Sequence, residues 1–412
     1  MEFKIKLKKY AELAVKVGVN LQRGQTLLLR APISCTDFAR EIVNAAYDLG
    51  ARDVEIEWSD EESSLIKYIK APEDIFDEFP KWKIEKYNSL LDKGVCIINI
   101  DSSNPTIFKD VDPIRMQKAS KASSESIPLW RDAIISDKIK WTIVSAPNKE
   151  WASKVFPELD KNEAIDKLWD YIFKCTRVDT DNPTDNPISS WKNHNSKLAE
   201  KVMFLNNHRF KSLHFKSSKT DLHIDLPEGH IWAGGSSVDP NGIEFTANIP
   251  TEEVYTLPHK FKVNGVVSNT KPFIYNGTII DKFTLTFKDG KVVDYNAEVG
   301  YESLKSLLEL DNGSCYLGEV ALVENNSPIS NTGIVYYTTL YDENASCHLA
   351  LGSAYKTSIE NGSEISKEDM DKYGVNDSIT HDDFMIGCSD MNIFGLTKDG
   401  KEIQIFKNGN WA

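Results

Sequence analysis

The stretch TLLLRAPISCTDFAREIVNAAYDLGARDVEIEW, Thr26 to Trp58, decides how the first part of the chain folds. Thr26 to Leu29 is a short apolar run suited to a strand. Phe38, Ile42, Ala45, Ala46 and Leu49 then recur at helical spacing and mark one apolar face, and Gly50 stops that helix. Val54, Ile56 and Trp58 alternate with Glu55 and Glu57, as a strand with one wet face does. Parallel strands need a long crossover, usually helical, so strand–helix–strand is the unit of a parallel sheet.

The same rhythm extends both ways. Upstream, Tyr10, Leu13, Ala14 and Val17 sit at helical spacing before Gly18, and Lys4, Lys6, Lys8 and Lys9 read as the wet face of that first helix. Downstream, Trp82, Ile84, Tyr87 and Leu91 are helical, Val95 to Ile100 and Trp141 to Val144 are strands, and Glu163 to Phe173 is a helix. An α/β layer with a mostly parallel sheet is expected. The pattern breaks at Val178 to Ser190, VDTDNPTDNPISS, where two Asn-Pro dipeptides deny their asparagines the helical region. A linker is expected there, dividing an α/β N-terminal domain, 1–185, from a second domain, 186–412.

Beyond the linker the texture is β-rich α+β. Phe210 to Lys216 and Leu222 to Leu226 alternate as strands. Phe283, Leu285 and Phe287 lead through Asp289-Gly290 to Val292-Val293, a hairpin signal, because a type I′ turn needs positive φ at both central residues. Glu302 to Leu310 reads as a helix and Tyr316 to Val323 as a strand.

The 412 residues exceed one ordinary core, and 41% hydrophobic with 27% charged residues is an ordinary globular balance. The net charge of −14 argues against nucleic acid or an anionic membrane as partner, since both demand clustered cations. Met1 to Leu7 has no apolar h-region, and apolar runs such as Val95 to Ile98 fall far short of the roughly 20 residues that span a bilayer. Six widely spread cysteines without a C-x-x-C pair read as buried thiols of a reducing compartment, so a cytoplasmic location is expected. No phosphate-binding glycine loop, nucleophile elbow or H-E-x-x-H motif occurs.

Chemistry concentrates late in the chain. In Thr380-His381-Asp382-Asp383-Phe384, an extended backbone puts His381 and Asp383 on one face, able to chelate a cation. Leu340 to His348 brings Asp342, Glu343 and His348 together. Glu319 is a lone carboxylate in the apolar run LGEVAL, so it either faces solvent or is buried and paired. Glu252 and Glu253 are adjacent acids beside Pro250, with nothing in the spacing to choose between them. Converging carboxylates and imidazoles compose a zinc, cobalt or manganese site.

At these residues the chain resembles the family of metal-dependent aminopeptidases that includes aminopeptidase T and aminopeptidase S. The matching stretches are IPTEEVYTLP (249–258), LGEVALV (317–323), SPISNTG (327–333), TLYDENASCHLALGSAY (339–355) and ITHDDFMIG (379–387), with KYAELAVKVGVNLQRGQ (9–25) and Asn408 to Trp411 at the two ends. The resemblance spans essentially the whole chain. It implies an exopeptidase with two divalent metal ions (Zn, Co or Mn), an α/β N-terminal domain, a C-terminal metal domain and a homodimer. Glu253, Glu319, His348, His381 and Asp383 match its metal ligands, which selects Glu253 over Glu252. Glu343 is a further acidic candidate, and Tyr355 matches its active-site tyrosine.

Two cations about 3.5–4 Å apart need a bridging carboxylate, a role suited to Glu319 on a rigid strand. Tyr355, seven residues after His348, would share a helical face with it and stabilise an oxyanion. Peptides with a free N-terminus are the expected substrates. The competing expectation is a mononuclear non-haem iron ring-cleaving dioxygenase, which two retained carboxylates, Glu253 and Glu319, disfavour.

Overall fold

The computed structural model describes residues 2–102, 104–179, 186–275 and 278–412. They form two compact units, one of Met1–His194 with Ser236–Pro250, the other of Asn195–Gly235 with Thr251–Ala412. The chain thus returns once to its first unit, which a single cut after residue 185 does not describe.

In the first unit four parallel strands lie in the order Asp53–Ser59, Thr26–Pro32, Cys96–Asp101, Trp141–Ser145. The expected α/β layer is present, with helix Thr36–Asp48 as the first crossover. Leu28, Val95 and Ile97 pack with Tyr87, Leu90 and Trp130 in one apolar cluster. The returning segment completes the sheet edge. The Ile143 N–H donates to the Ala247 carbonyl at 2.8 Å, and the Ile249 N–H donates to Ile143 at 3.0 Å. Lys6 is less wet than expected, because it pairs with Asp179 at 2.6 Å and Asp170 at 3.3 Å.

Residues 180–185 of the expected linker lie outside the described residues. Its end is helical, since a helix runs Pro187–His208. Proline is compatible with a first helical turn, which does not need its missing N–H, and the Asn186 side chain accepts from the Ile188 N–H at 3.0 Å.

The second unit is built on two antiparallel sheets among the described residues. The nine-stranded sheet contains the hairpin strands Ser212–Lys216 and Asp221–Asp225, and Thr278–Lys288 paired with Lys291–Val299. The Asp289-Gly290 turn has positive φ at both residues, 50° and 83°, as its sequence demands. The five-stranded sheet has the order His381–Met385, His348–Gly352, Leu317–Leu322, Val254–Thr256, Ala233–Gly234. Alternation gives it two different faces. Val320, Leu322, Leu349, Leu351 and Phe384 join Phe215, Leu222, Ile224, Phe283 and Leu285 in one core. The other face is left to Glu319, His348, His381 and Asp383. The His348 strand corrects the helical spacing expected between His348 and Tyr355, because that run is extended up to Gly352. Leu-Ala-Leu favours a helix locally, but two flanking strands pair with it.

Candidate metal centre

The register of the five-stranded sheet assembles the polar face. Ala350 lies opposite Glu319 on one neighbour and opposite Asp383 on the other. His348 lies opposite Ala321, and His381 opposite Gly352. Residues 348, 350 and 352 share a face, so both histidines, Glu319 and Asp383 project to the same side of the sheet. Glu253 enters just before strand Val254–Thr256, whose Val254 pairs with Leu322.

Two ligand triads result, with the atoms of each within 4.8 Å of one another: Glu253, Glu319 and His348, and Glu319, His381 and Asp383. Glu319 belongs to both. His348 Nε2 lies 3.2 Å from Glu253 Oε2 and 3.5 Å from Glu319 Oε1. His381 Nε2 lies 3.8 Å from Glu319 Oε2 and 3.6 Å from Asp383 Oδ1. Glu319 is buried, 5% exposed, which excludes its solvent-facing alternative.

Backbone carbonyls set both rings. His348 Nδ1 is 3.0 Å from the Glu343 carbonyl and 3.1 Å from that of Ser346, and His381 Nδ1 is 2.7 Å from that of Ser353. A carbonyl only accepts, so each Nδ1 carries the proton and each Nε2 is directed at the carboxylates. These carbonyls have no sequence signature, since any residue supplies one. The sequence also gave no sign that Ala350 is the small residue between the two acids.

Electrostatics test whether cations fit. Burial raises Glu319, although its hydrogen bond to His348 opposes this. Burial would lower both imidazoles, but carboxylates outweigh it. Glu253 and Glu319 hold His348 well above its usual range, and Asp383 and Glu319 push His381 up to about 10. Asp383 is held low despite burial because His381 and His348 face it. Its Oδ1 is buried without a hydrogen-bond partner. Buried carboxylates must be paired or must ligate, and in the metal-free chain protons on the imidazoles supply the pairing. Two dications with nitrogen and oxygen ligands fit the same positions.

The remaining candidates stand at the margin. Glu343 ends helix Thr339–Glu343 and belongs to neither triad. Burial and the charges of Asp383 and Glu253 raise it well above the usual carboxylate range. Its Oε1 accepts from Asn344 Nδ2 at 3.2 Å. The Tyr355 residue is 41% exposed while its ring packs 4.8 Å from His381, and loss of water around its hydroxyl with the nearby Glu319 and Asp383 charges raises that hydroxyl above its usual range, so it keeps its proton. Glu252 is held by its backbone, whose N–H donates to Asn344 Oδ1 at 2.8 Å.

Residues 3–411 match the family model described as thermophilic metalloprotease (M29). The chain is 50% identical to aminopeptidase 2 of Geobacillus stearothermophilus over 98% of this chain and 97% of that one. It is 50% identical to aminopeptidase AmpS of Bacillus subtilis over 100% and 99%, and 39% identical to aminopeptidase T of Thermus thermophilus over 100% and 99%. The solved structure of wild-type AmpT from Thermus thermophilus superposes with a TM-score of 0.92 at 38% identity, covering 100% of both chains. The ring-cleaving dioxygenase expected as the alternative finds no support beside a metalloprotease family and aminopeptidase relatives. No described helix is long and apolar enough to cross a membrane.

Proposed function

The chain belongs to the thermophilic metalloprotease (M29) family and is a metallopeptidase, and on that premise we propose that it releases the N-terminal residue of peptides using two divalent metal ions. The observation that carries the two-ion reading is the presence of Glu319 in both triads. Glu253 and His348 would hold one ion, His381 and Asp383 the other, and Glu319 both. Zinc, cobalt or manganese suits these ligands. Bound ions of this kind activate a water and polarise the scissile carbonyl.

The chain's own groups supply the rest. Carbonyls of Glu343, Ser346 and Ser353 fix the imidazole tautomers. The Tyr355 hydroxyl, protonated at working pH, donates to the oxygen that becomes negative as the carbonyl is attacked. Glu343, outside both triads, is suited to carrying the proton from the attacking water to the departing amine rather than to ligation. The free thiols fit a cytoplasmic enzyme. The homodimer rests on the family resemblance, and light scattering of the eluted protein tests it.

Purified chain supplied with zinc, cobalt or manganese should release N-terminal residues from short peptides, and a chelator should stop it. Equal cleavage of N-acetylated peptides would show that the free amine is not recognised and would end the exopeptidase reading. Elemental analysis giving one metal per chain at full activity would end the two-ion reading.

A further inference from the structure

A third ligand group lies outside the catalytic cluster, on the nine-stranded sheet. His214 and His223 are directly opposite in the hairpin Ser212–Lys216 and Asp221–Asp225. Their rings stack with centroids 3.8 Å apart and planes at 18°. Asp221 lies two residues before His223, hence on the same face, and its Oδ1 is 2.7 Å from His214 Nε2. The ligand atoms of all three lie within 4.8 Å of one another.

The support is rigid and the ligands are accessible. Alternate residues Leu213, Phe215, Leu222 and Ile224 are buried in the core, which fixes the hairpin's register and strand spacing. On the outer face His214 is half-buried, and Asp221 and His223 are exposed. Phe394 stands opposite His214 on the next strand, and Asn264 opposite His223 on the other side. The charged neighbours on this face are Lys216, opposite Asp221, and Asp225, beyond His223. Two stacked imidazoles repel when both are protonated, and partial loss of water around the ring together with His214 lowers the His223 pKa. The His223 ring is therefore poised as a neutral nitrogen ligand. The proton shared between His214 and Asp221 is one that a dication can replace.

We propose that His214, Asp221 and His223 form an accessible transition-metal site, separate from the two triads that share Glu319, that takes zinc, nickel or copper with water in the remaining positions. Two imidazoles favour these ions over magnesium or calcium. Its exposure makes it an exchangeable site that fills as free metal rises.

The test uses the full, tag-free chain and its His214→Gln and His223→Gln variants. Wild-type chain should be retained on immobilised nickel and released as pH falls through the histidine range. Equilibrium dialysis against zinc should find one more ion bound per chain than in either variant. Both variants should lose retention and that ion while keeping wild-type peptidase rates, and His208→Gln should retain both. Retention and zinc content unchanged in the two variants would overturn the proposal. So would their loss in His208→Gln alone.

Discussion

Ala350 stands directly across from Glu319 in the sheet. Because it also stands across from Asp383, its methyl group is all that occupies the row between the two carboxylates on that face. Ala350→Leu would push a branched side chain into the space that the ligands enclose. Overpacking of a buried site costs roughly 1–3 kcal/mol. The variant should remain folded with a modestly lowered Tm, but its metal content and peptidase rate should collapse together. Unchanged metal content would mean that the ions do not sit over this row.

Glu319→Gln keeps the side chain's shape and removes the charge shared by both triads. It should lose at least one metal. Its peptidase rate should fall by more than the roughly 10–100-fold that losing an outer partner of a ligand costs. Metal analysis alongside turnover checks this, and two retained metals at normal rate would remove Glu319 from the bridging position.

Tyr355→Phe deletes one hydroxyl and keeps the ring against His381. A donor to a developing oxyanion is worth roughly 10²–10³ in turnover. The variant should lose about that much in kcat with two metals still bound. If Tyr355 only packs, turnover stays near normal and only Tm moves.

Protons and metals compete for the same nitrogens. The folded pKa of His381, pushed up to about 10, lies above its usual 6.5. Its protonation therefore stabilises the metal-free fold fully below the unfolded value, and that contribution is lost as pH rises through about 10. Tm of chelator-treated protein should fall from neutral pH toward pH 10, and added zinc should raise Tm more at the alkaline end. At limiting metal, activity should fall as pH drops, and excess metal should restore it. A zinc-induced Tm gain that shrinks with rising pH would contradict the protonated metal-free state.

The parallel layer was legible because its strands and helices alternate within short windows and glycines such as Gly50 end the helices. The ligand types were legible too, since Glu319 breaks an apolar run and His381 and Asp383 sit at strand spacing. Their convergence was not. Glu253, Glu319, His348 and His381 meet through pairings between strands distant in sequence, and no local pattern encodes which strands become neighbours. Tyr355 was misread as one helical face with His348 because Leu-Ala-Leu has helical propensity, which tertiary pairing overrode. Pro187 read as a breaker although proline also suits a helix's first turn.

The return of residues 236–250 to the first unit governs how the gene can be divided. A fragment ending at residue 185 would lack the backbone partners of Ile143, as well as the Thr246 N–H that donates to the Gly18 carbonyl at 2.8 Å. Its strand Trp141–Ser145 would become a bare edge, the kind that recruits other chains into aggregates. Expression of the first unit alone therefore calls for a spliced insert that carries 236–250 back to that edge, and simple truncation should yield inclusion bodies.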